Sequence, residues 1–310
     1  MLAFISRRVL EMIPTIILLS LVVFILMQLV PGDPALMVGD PRMAKNPKVL
    51  ERLREHWGLD KPVHIQFLTF LGKLVRGKLG RSYALRQPVG QVIMKRLPVT
   101  LRLAISAIIF AAVTGMALGI LSALNKGSFI DFFAMSGAVF GISMPNFWLG
   151  LMLIYLFGVI LGILPTNGYG GGKISHLILP TLTVGTAYMA IITRTTRSAI
   201  LDMLNKEYVR TARAKGLSER IVLSKHVIRN ALIPIITILG LQFGFLLTYT
   251  FVAEIIFSYP GLGSLMINSI SRRDLPTLQG CVLVAGMAFL VINLIIDILY
   301  AYLDPRIRYD

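Results

Sequence analysis

The chain has 310 residues, 55% of them apolar and only 15% charged, with a mean hydropathy of +0.75. A soluble domain carries about 25% charge, and the apolar residues here come in long blocks rather than amphipathic stripes, which excludes an ordinary cytosolic enzyme and a disordered chain and indicates an all-α integral membrane protein with several spans. The 31 Lys and Arg against 15 Asp and Glu give a formal charge of +16; in such a chain the excess belongs to loops facing anionic lipid and the cytoplasm rather than to nucleic acid.

The first block, residues 10–30, holds fourteen Leu, Ile, Val or Phe and one acid, Glu11. Its apolar set contributes about −4 to −8 kcal/mol to insertion. A secretory signal has an apolar region of about 7–15 residues and a cleavage site, whereas this block is longer and runs into Pro31-Gly32-Asp33-Pro34, so residues 1–30 read as a cytoplasmic start and a retained helix. Residues 31–97 read as a small, mostly helical extracytoplasmic cap. Val49, Leu50, Leu53 and Trp57 fall at helical spacing, as do Phe67, Leu68, Leu71 and Val75, with Gly58-Leu59-Asp60-Lys61-Pro62 as the turn between them.

Further apolar blocks cover 100–124, 132–164, 177–192, 231–257 and 278–303. The third has 33 residues, too many for one upright span of about 20; it is either two short spans broken at Pro145-Asn146 or a lead-in turn with one tilted helix. Charge decides. Residues 194–229 carry nine Lys or Arg, and the amino end carries Arg7 and Arg8. Both should be cytoplasmic, so an even number of spans separates them and the total is six. Residues 31–98 hold thirteen Lys or Arg on the opposite side, which a loop longer than about 60 residues permits. The remaining chain then divides into a core at 98–303, which holds spans two to six and a cytoplasmic loop at 194–230, and a cytoplasmic tail at 304–310.

Pro98, Pro180, Pro234 and Pro276 lie near the beginnings of four blocks, where a missing amide hydrogen is tolerated. Four glycine pairs at four-residue spacing, Gly115/Gly119, Gly137/Gly141, Gly158/Gly162 and Gly240/Gly244, mark close helix packing. Gly170-Gly171-Gly172-Lys173-Ile174-Ser175 is not a nucleotide loop, because Asn167 and Ile174 occupy positions that need Gly and Ser or Thr. His56, His64, His176 and His226 show no metal spacing, and Cys281 excludes an internal disulfide. Glu254 and Asp297 lie within or near span ends, accompanied by Gln28, Asn146, Gln242 and Asn293. Acids in lipid face the protein interior or a wet path, which makes Asn146, Gln242 and Glu254 candidates for lining a pathway.

The most informative stretch is 207–220, too polar to span. Tyr208, Val209, Ala212 and Leu217 supply apolar contacts and Arg210, Arg213 and Lys215 supply charge. Ala212 and Gly216 fall on one face if the helix continues, and Gly216 can instead end it. A short cytoplasmic helix of this kind fits a groove on a soluble motor subunit.

Residues 207–216, followed by Arg229-Asn230-Ala231-Leu232-Ile233-Pro234, resemble the cytoplasmic coupling loop of ABC-transporter permeases of the dipeptide/oligopeptide/nickel importer family, in its first-permease form. Pro31-Gly32-Asp33-Pro34, Ser143-Met144-Pro145-Asn146-Phe147-Trp148, Phe257-Ser258-Tyr259-Pro260-Gly261-Leu262-Gly263, Arg273-Asp274-Leu275-Pro276 and Asp304-Pro305-Arg306-Ile307-Arg308 agree, in order, over nearly the whole chain. The broader family has Glu-Ala-Ala with Gly four residues after the second Ala. Here Ala212 and Gly216 match, Arg210 and Thr211 replace the first two positions, and the later Ile-x-Leu-Pro is replaced by His226-Val227-Ile228-Arg229.

The resemblance implies the type I ABC importer permease fold in a bacterial or archaeal plasma membrane. It implies a second homologous permease, two ABC ATPases and an extracytoplasmic solute-binding protein as partners. ATP and Mg would sit on the ATPases, with no cofactor, metal or catalytic residue on this chain. The ATPase-coupling residues it implies are Glu207, Tyr208, Val209, Arg210, Ala212, Arg213, Gly216 and Leu217. Di- or oligopeptides are the implied solutes, with nickel chelates or glutathione as the alternative within the family. An autonomous channel and an integral-membrane enzyme are the readings from other classes; the latter would need a clustered catalytic set within the spans.

Overall fold

The computed structural model describes residues 2–29 and 60–303. The Pro31–Pro34 turn, the spacing of Val49, Leu50, Leu53 and Trp57, His56, Gly58, Leu59 and the 304–310 tail lie outside the described residues. Ten helices are labelled in chain order: α1 Leu2–Leu29, α2 Val63–Val75, α3 Val89–Leu124, α4 Phe129–Ser143, α5 Asn146–Leu153, α6 Ser175–Leu204, α7 Glu207–Ala214, α8 Arg229–Ile256, α9 Leu262–Ser271 and α10 Leu275–Leu303. A π-helical segment, Ile154–Ile160, extends α5, and a helical turn, Glu219–Ile221, with a second π segment, Val222–Ile228, leads into α8.

Among the described residues five helices are long and apolar enough to span a membrane, and a bent pair, α4 with α5 and its π extension, brings the number to six if it counts as one span. The pair turns by 106° at Met144 and Pro145, both extended in backbone. Proline cannot donate to the preceding turn and keeps the residue before it out of the α region, so the long third block becomes two helices at one depth-limited break. The other spans outrun their apolar blocks. α3 starts at Val89, ahead of Thr100, and α6 continues to Leu204, past Ile192. Pro98, Pro180 and Pro234 therefore lie inside helices rather than in first turns; of the four only Pro276 occupies a first turn. Hydropathy reports where lipid is, not where hydrogen bonding stops.

Contacts divide the chain into two units. The first holds Val99–Pro260 and the last helix from Ile292 onward; the second holds Leu2–Pro98 and Gly261–Val291. In the first, α4, α5 and α8 all pack on α6, the span with the largest buried share. α3 also lies close against α6. A Cβ at Gly115 would stand 2.8 Å from the Met189 carbonyl oxygen, and one at Gly119 would stand 2.6 Å from Thr196 Cβ. Gly141 similarly faces Thr186 and Ala190, while nothing approaches Gly137. In lipid such van der Waals approach, rather than water exclusion, holds helices together.

In the second unit, the Phe24 ring of α1 meets Phe67 and Phe70 of α2 at 5.4 and 6.0 Å, and Gln28 Nε2 donates to Gln66 Oε1 at 3.1 Å. The inward face of α2 thus includes Phe67 and Phe70, and Leu68 and Val75 stay exposed. Asp274, 2% exposed, fastens the 81–88 turn: the Ser82 hydroxyl and Thr277 Oγ1 donate to Oδ2 and the Tyr83 N–H donates to Oδ1 at 3.0 Å. Burial, reinforced by the Asp274 charge, pushes the Tyr83 phenol up to about 12, so it stays neutral at physiological pH.

Candidate functional site

α7 is a two-turn amphipathic helix. Glu207 occupies its first turn and Arg213 its last, each favourable toward the helix dipole. Val209 and Ala212, three residues apart, are buried in a core with Ala199 and Ile200 of α6, Val222 and Val227 of the second π segment, and Ala231 and Ile235 of α8. Burying the Val209 side chain contributes about 1.5–3 kcal/mol. Glu207, Tyr208, Arg210 and Arg213 remain exposed on the other face.

The end of α7 is a Schellman motif. Gly216 has φ +74°, its N–H donates to the Arg213 carbonyl at 2.9 Å, and the Leu217 N–H donates to the Ala212 carbonyl at 3.4 Å. Only a residue without Cβ takes this conformation without cost. Ala212 and Gly216 therefore do not form one small-residue face: Ala212 points into the chain's own core, and Gly216 terminates the helix. Arg213 Nε donates to Glu219 Oε1 at 2.8 Å across the turn, an exposed pair worth under about 1 kcal/mol. The Tyr208 hydroxyl reaches the His226 carbonyl at 3.4 Å and accepts from Asn230 Nδ2 at 3.2 Å. Val209 and Ala212 thus tie the helix to the end of α6 and the start of α8.

A second constellation stabilises this end of the unit. The Asp131 carboxylate receives Arg197 Nε at 2.7 Å and Arg197 Nη2 at 2.8 Å, Ser122 Oγ at 2.5 Å and the Gly127 N–H at 2.9 Å. One carboxylate thereby ties α3, the 125–128 turn and α4 to α6. Sequence reading missed Asp131 and counted Arg197 only as a loop cation. The available signal was Ser128, an N-cap whose hydroxyl accepts from the Asp131 N–H, three residues ahead of an acid in the manner of a capping box.

The three pathway candidates are not gathered. Glu254 is fully buried in the last turn of α8 and accepts from Thr100 Oγ1 at 2.5 Å. The chain then turns through Ser258 at φ +50°, and the Tyr259 N–H returns to the Glu254 carbonyl at 2.7 Å. Tyr259 is buried edge-on against Tyr169 at 5.2 Å. Glu254 is thus a packed interior acid in this conformation. Asn146 begins α5, Gln242 lies mid-α8, both are half-buried, and neither hydrogen-bonds to Glu254. Among the described residues no group of three His, Cys, Asp or Glu could hold a metal.

A family described as "Binding-protein-dependent transport system inner membrane component" matches residues 115–309, from α3 through the Asp131 clamp and α7. The chain belongs to that family. The N-terminal family of the same transport systems matches residues 1–104. The glutathione transport system permease proteins GsiC of Escherichia coli and Salmonella typhimurium are each 43% identical over 309 residues, covering the full length of both chains. A crystal structure of an amino acid ABC transporter superposes with a TM-score of 0.54 at 18% identity, over 68% of this chain and 94% of the other. An inward-facing MetNI methionine ABC transporter gives 0.59 at 15%, over 69% and 97%. At these identities the structures establish the fold alone, which is that of type I ABC importer permeases. The chain is a multi-pass inner-membrane permease subunit of a binding-protein-dependent ABC importer.

Proposed function

We propose that this subunit forms half of a translocation path with a second homologous permease, and that two ABC ATPases turn it from the cytoplasmic side through α7. The supporting observation is the division of α7 into an inner face locked in the chain's own core and an outer face, Glu207, Tyr208, Arg210 and Arg213, left exposed. The nine basic residues of 194–229 favour a cytoplasmic position for that face, with both termini on the same side and residues 31–97 outside. ATP and Mg belong to the partner subunits. ATPase closure shifts the access equilibrium by pressing on contacts that differ between the two states.

Glutathione, or a small peptide of similar size, is the proposed solute, delivered by an extracytoplasmic binding protein; the 43% identity to glutathione permeases over the whole chain supports it. The test is uptake by proteoliposomes holding both permeases and both ATPases, supplied with the binding protein and radiolabelled glutathione or dipeptides. Uptake that requires ATP and binding protein is expected. Solute flux through the permeases alone, without ATPases, would instead establish a channel.

A further inference from the structure

The second unit contains a small polar cavity of about 150 Å³ between the 81–88 turn, the start of α3 and the face and end of α9. Arg96 and Arg272 both line it. Arg272 is the C-cap of α9, and Arg96 is half-buried on α3. The other polar groups of the cavity are already engaged. Asn268 Nδ2 donates to the Ser264 carbonyl at 2.7 Å, and Ser264 Oγ donates to the Gly261 carbonyl at 2.9 Å. The Asp274 carboxylate is taken by Ser82, Thr277 and the Tyr83 N–H.

Arg96 and Arg272 make no ion pair or side-chain hydrogen bond with the described residues, a condition they share with Arg102, Arg194 and Arg273; of these, Arg96 and Arg272 line the cavity, Arg96 half-buried and Arg272 exposed. Two cations against one buried, saturated carboxylate leave the cavity positive. Leu265 and Leu85 supply apolar wall, enough to take a short alkyl stem. A planar guanidinium pairs best with a planar two-oxygen anion.

We propose that Arg96 and Arg272 form a receptor for a single carboxylate carried on a short aliphatic stem. Such a group is present on glutathione and peptide solutes and on acidic side chains of a binding protein, and the test separates these sources. The outward position of the cavity rests on the topology given under the proposed function. The receptor's chemistry does not.

The experiment is arginine modification by phenylglyoxal on the assembled importer in nanodiscs, read by peptide mass spectrometry. Arg86 and Arg273, which lie outside the cavity lining, serve as internal controls. Glutathione or glutarate at about four times its dissociation constant should slow modification of Arg96 and Arg272 about fivefold by mass action, with the controls unchanged, if the solute supplies the carboxylate. Protection by the binding protein but not by free glutathione or glutarate assigns the carboxylate to an acidic side chain. Equal protection by the glutathione diamide, or none from any of these, overturns the receptor. ATP-driven uptake by the same preparation in proteoliposomes is scored separately: uptake without protection defeats the receptor alone, and protection without uptake defeats the importer reading alone.

Discussion

Replacing Asp131 with Asn preserves the side chain's shape and removes the charge that receives both Arg197 donors. Hydrogen bonds to charged groups are each worth about 1.5–3 kcal/mol net, and breaking a buried pair costs about 3–5 kcal/mol because the remaining charge is stranded. Arg197 retains 25% side-chain exposure and can rehydrate. The asparagine oxygen can still accept from Ser122 or Gly127. The expected cost therefore falls below that range, at about 2–3 kcal/mol. For a chain of 310 residues that lowers the unfolding midpoint by roughly 3–5 °C. The assay is fluorescence-detected size exclusion of the detergent-solubilised complex after heating, for D131N, R197Q and the double variant. Because one pair is being broken, the double variant should cost no more than the larger single one, a coupling of about 2 kcal/mol. Additive losses, or single variants within about 1 °C of wild type, would refute the clamp. D131N should also lower uptake per ATP hydrolysed, since the clamp fixes the helix that carries α7.

Gly216→Val forces a β-branched residue to φ +74°, costing about 1–2 kcal/mol. ATP hydrolysis should continue while uptake falls, and Gly216→Asn, which tolerates that region, should retain most uptake; normal transport by the valine variant would contradict the capping role. Gly119→Val drives side-chain atoms against the Thr193 carbonyl, 2.7 Å from an added Cβ, and should cost about 1–3 kcal/mol or more, seen as lost folded yield. Gly137→Ala meets nothing within 4 Å and should leave yield unchanged. Cys281, fully buried, should resist maleimide in native membranes and react after SDS; ready labelling of the folded protein would show that α10 packs differently.

The spans were legible because lipid imposes a compositional rule, and α1, α3, α6, α8 and α10 each contain an apolar block. The break at Pro145 was legible as one of two alternatives, since proline acts locally. Helix ends were not: Arg194 and Arg197 looked like loop residues, yet α6 runs on to Leu204 because its backbone bonding outlasts the membrane and Arg197 finds Asp131. The glycine pairs looked alike in sequence, but Gly115 and Gly119 meet a neighbouring helix and Gly137 does not; that difference depends on which face a partner occupies. For the same reason α7 could be recognised from its residues, while the inward placement of Ala212 and the burial of Glu254 against Thr100 required the tertiary contacts.

The account rests on α7 being driven from the cytoplasm. A single cysteine in place of Arg210, in a chain carrying C281S, can be challenged with a membrane-impermeant maleimide in intact cells and in inverted membrane vesicles. Labelling in the inverted vesicles alone, suppressed when the ATPase subunits are bound, is the predicted result. Labelling in intact cells would place the exposed face of α7 outside the membrane and contradict the mechanism.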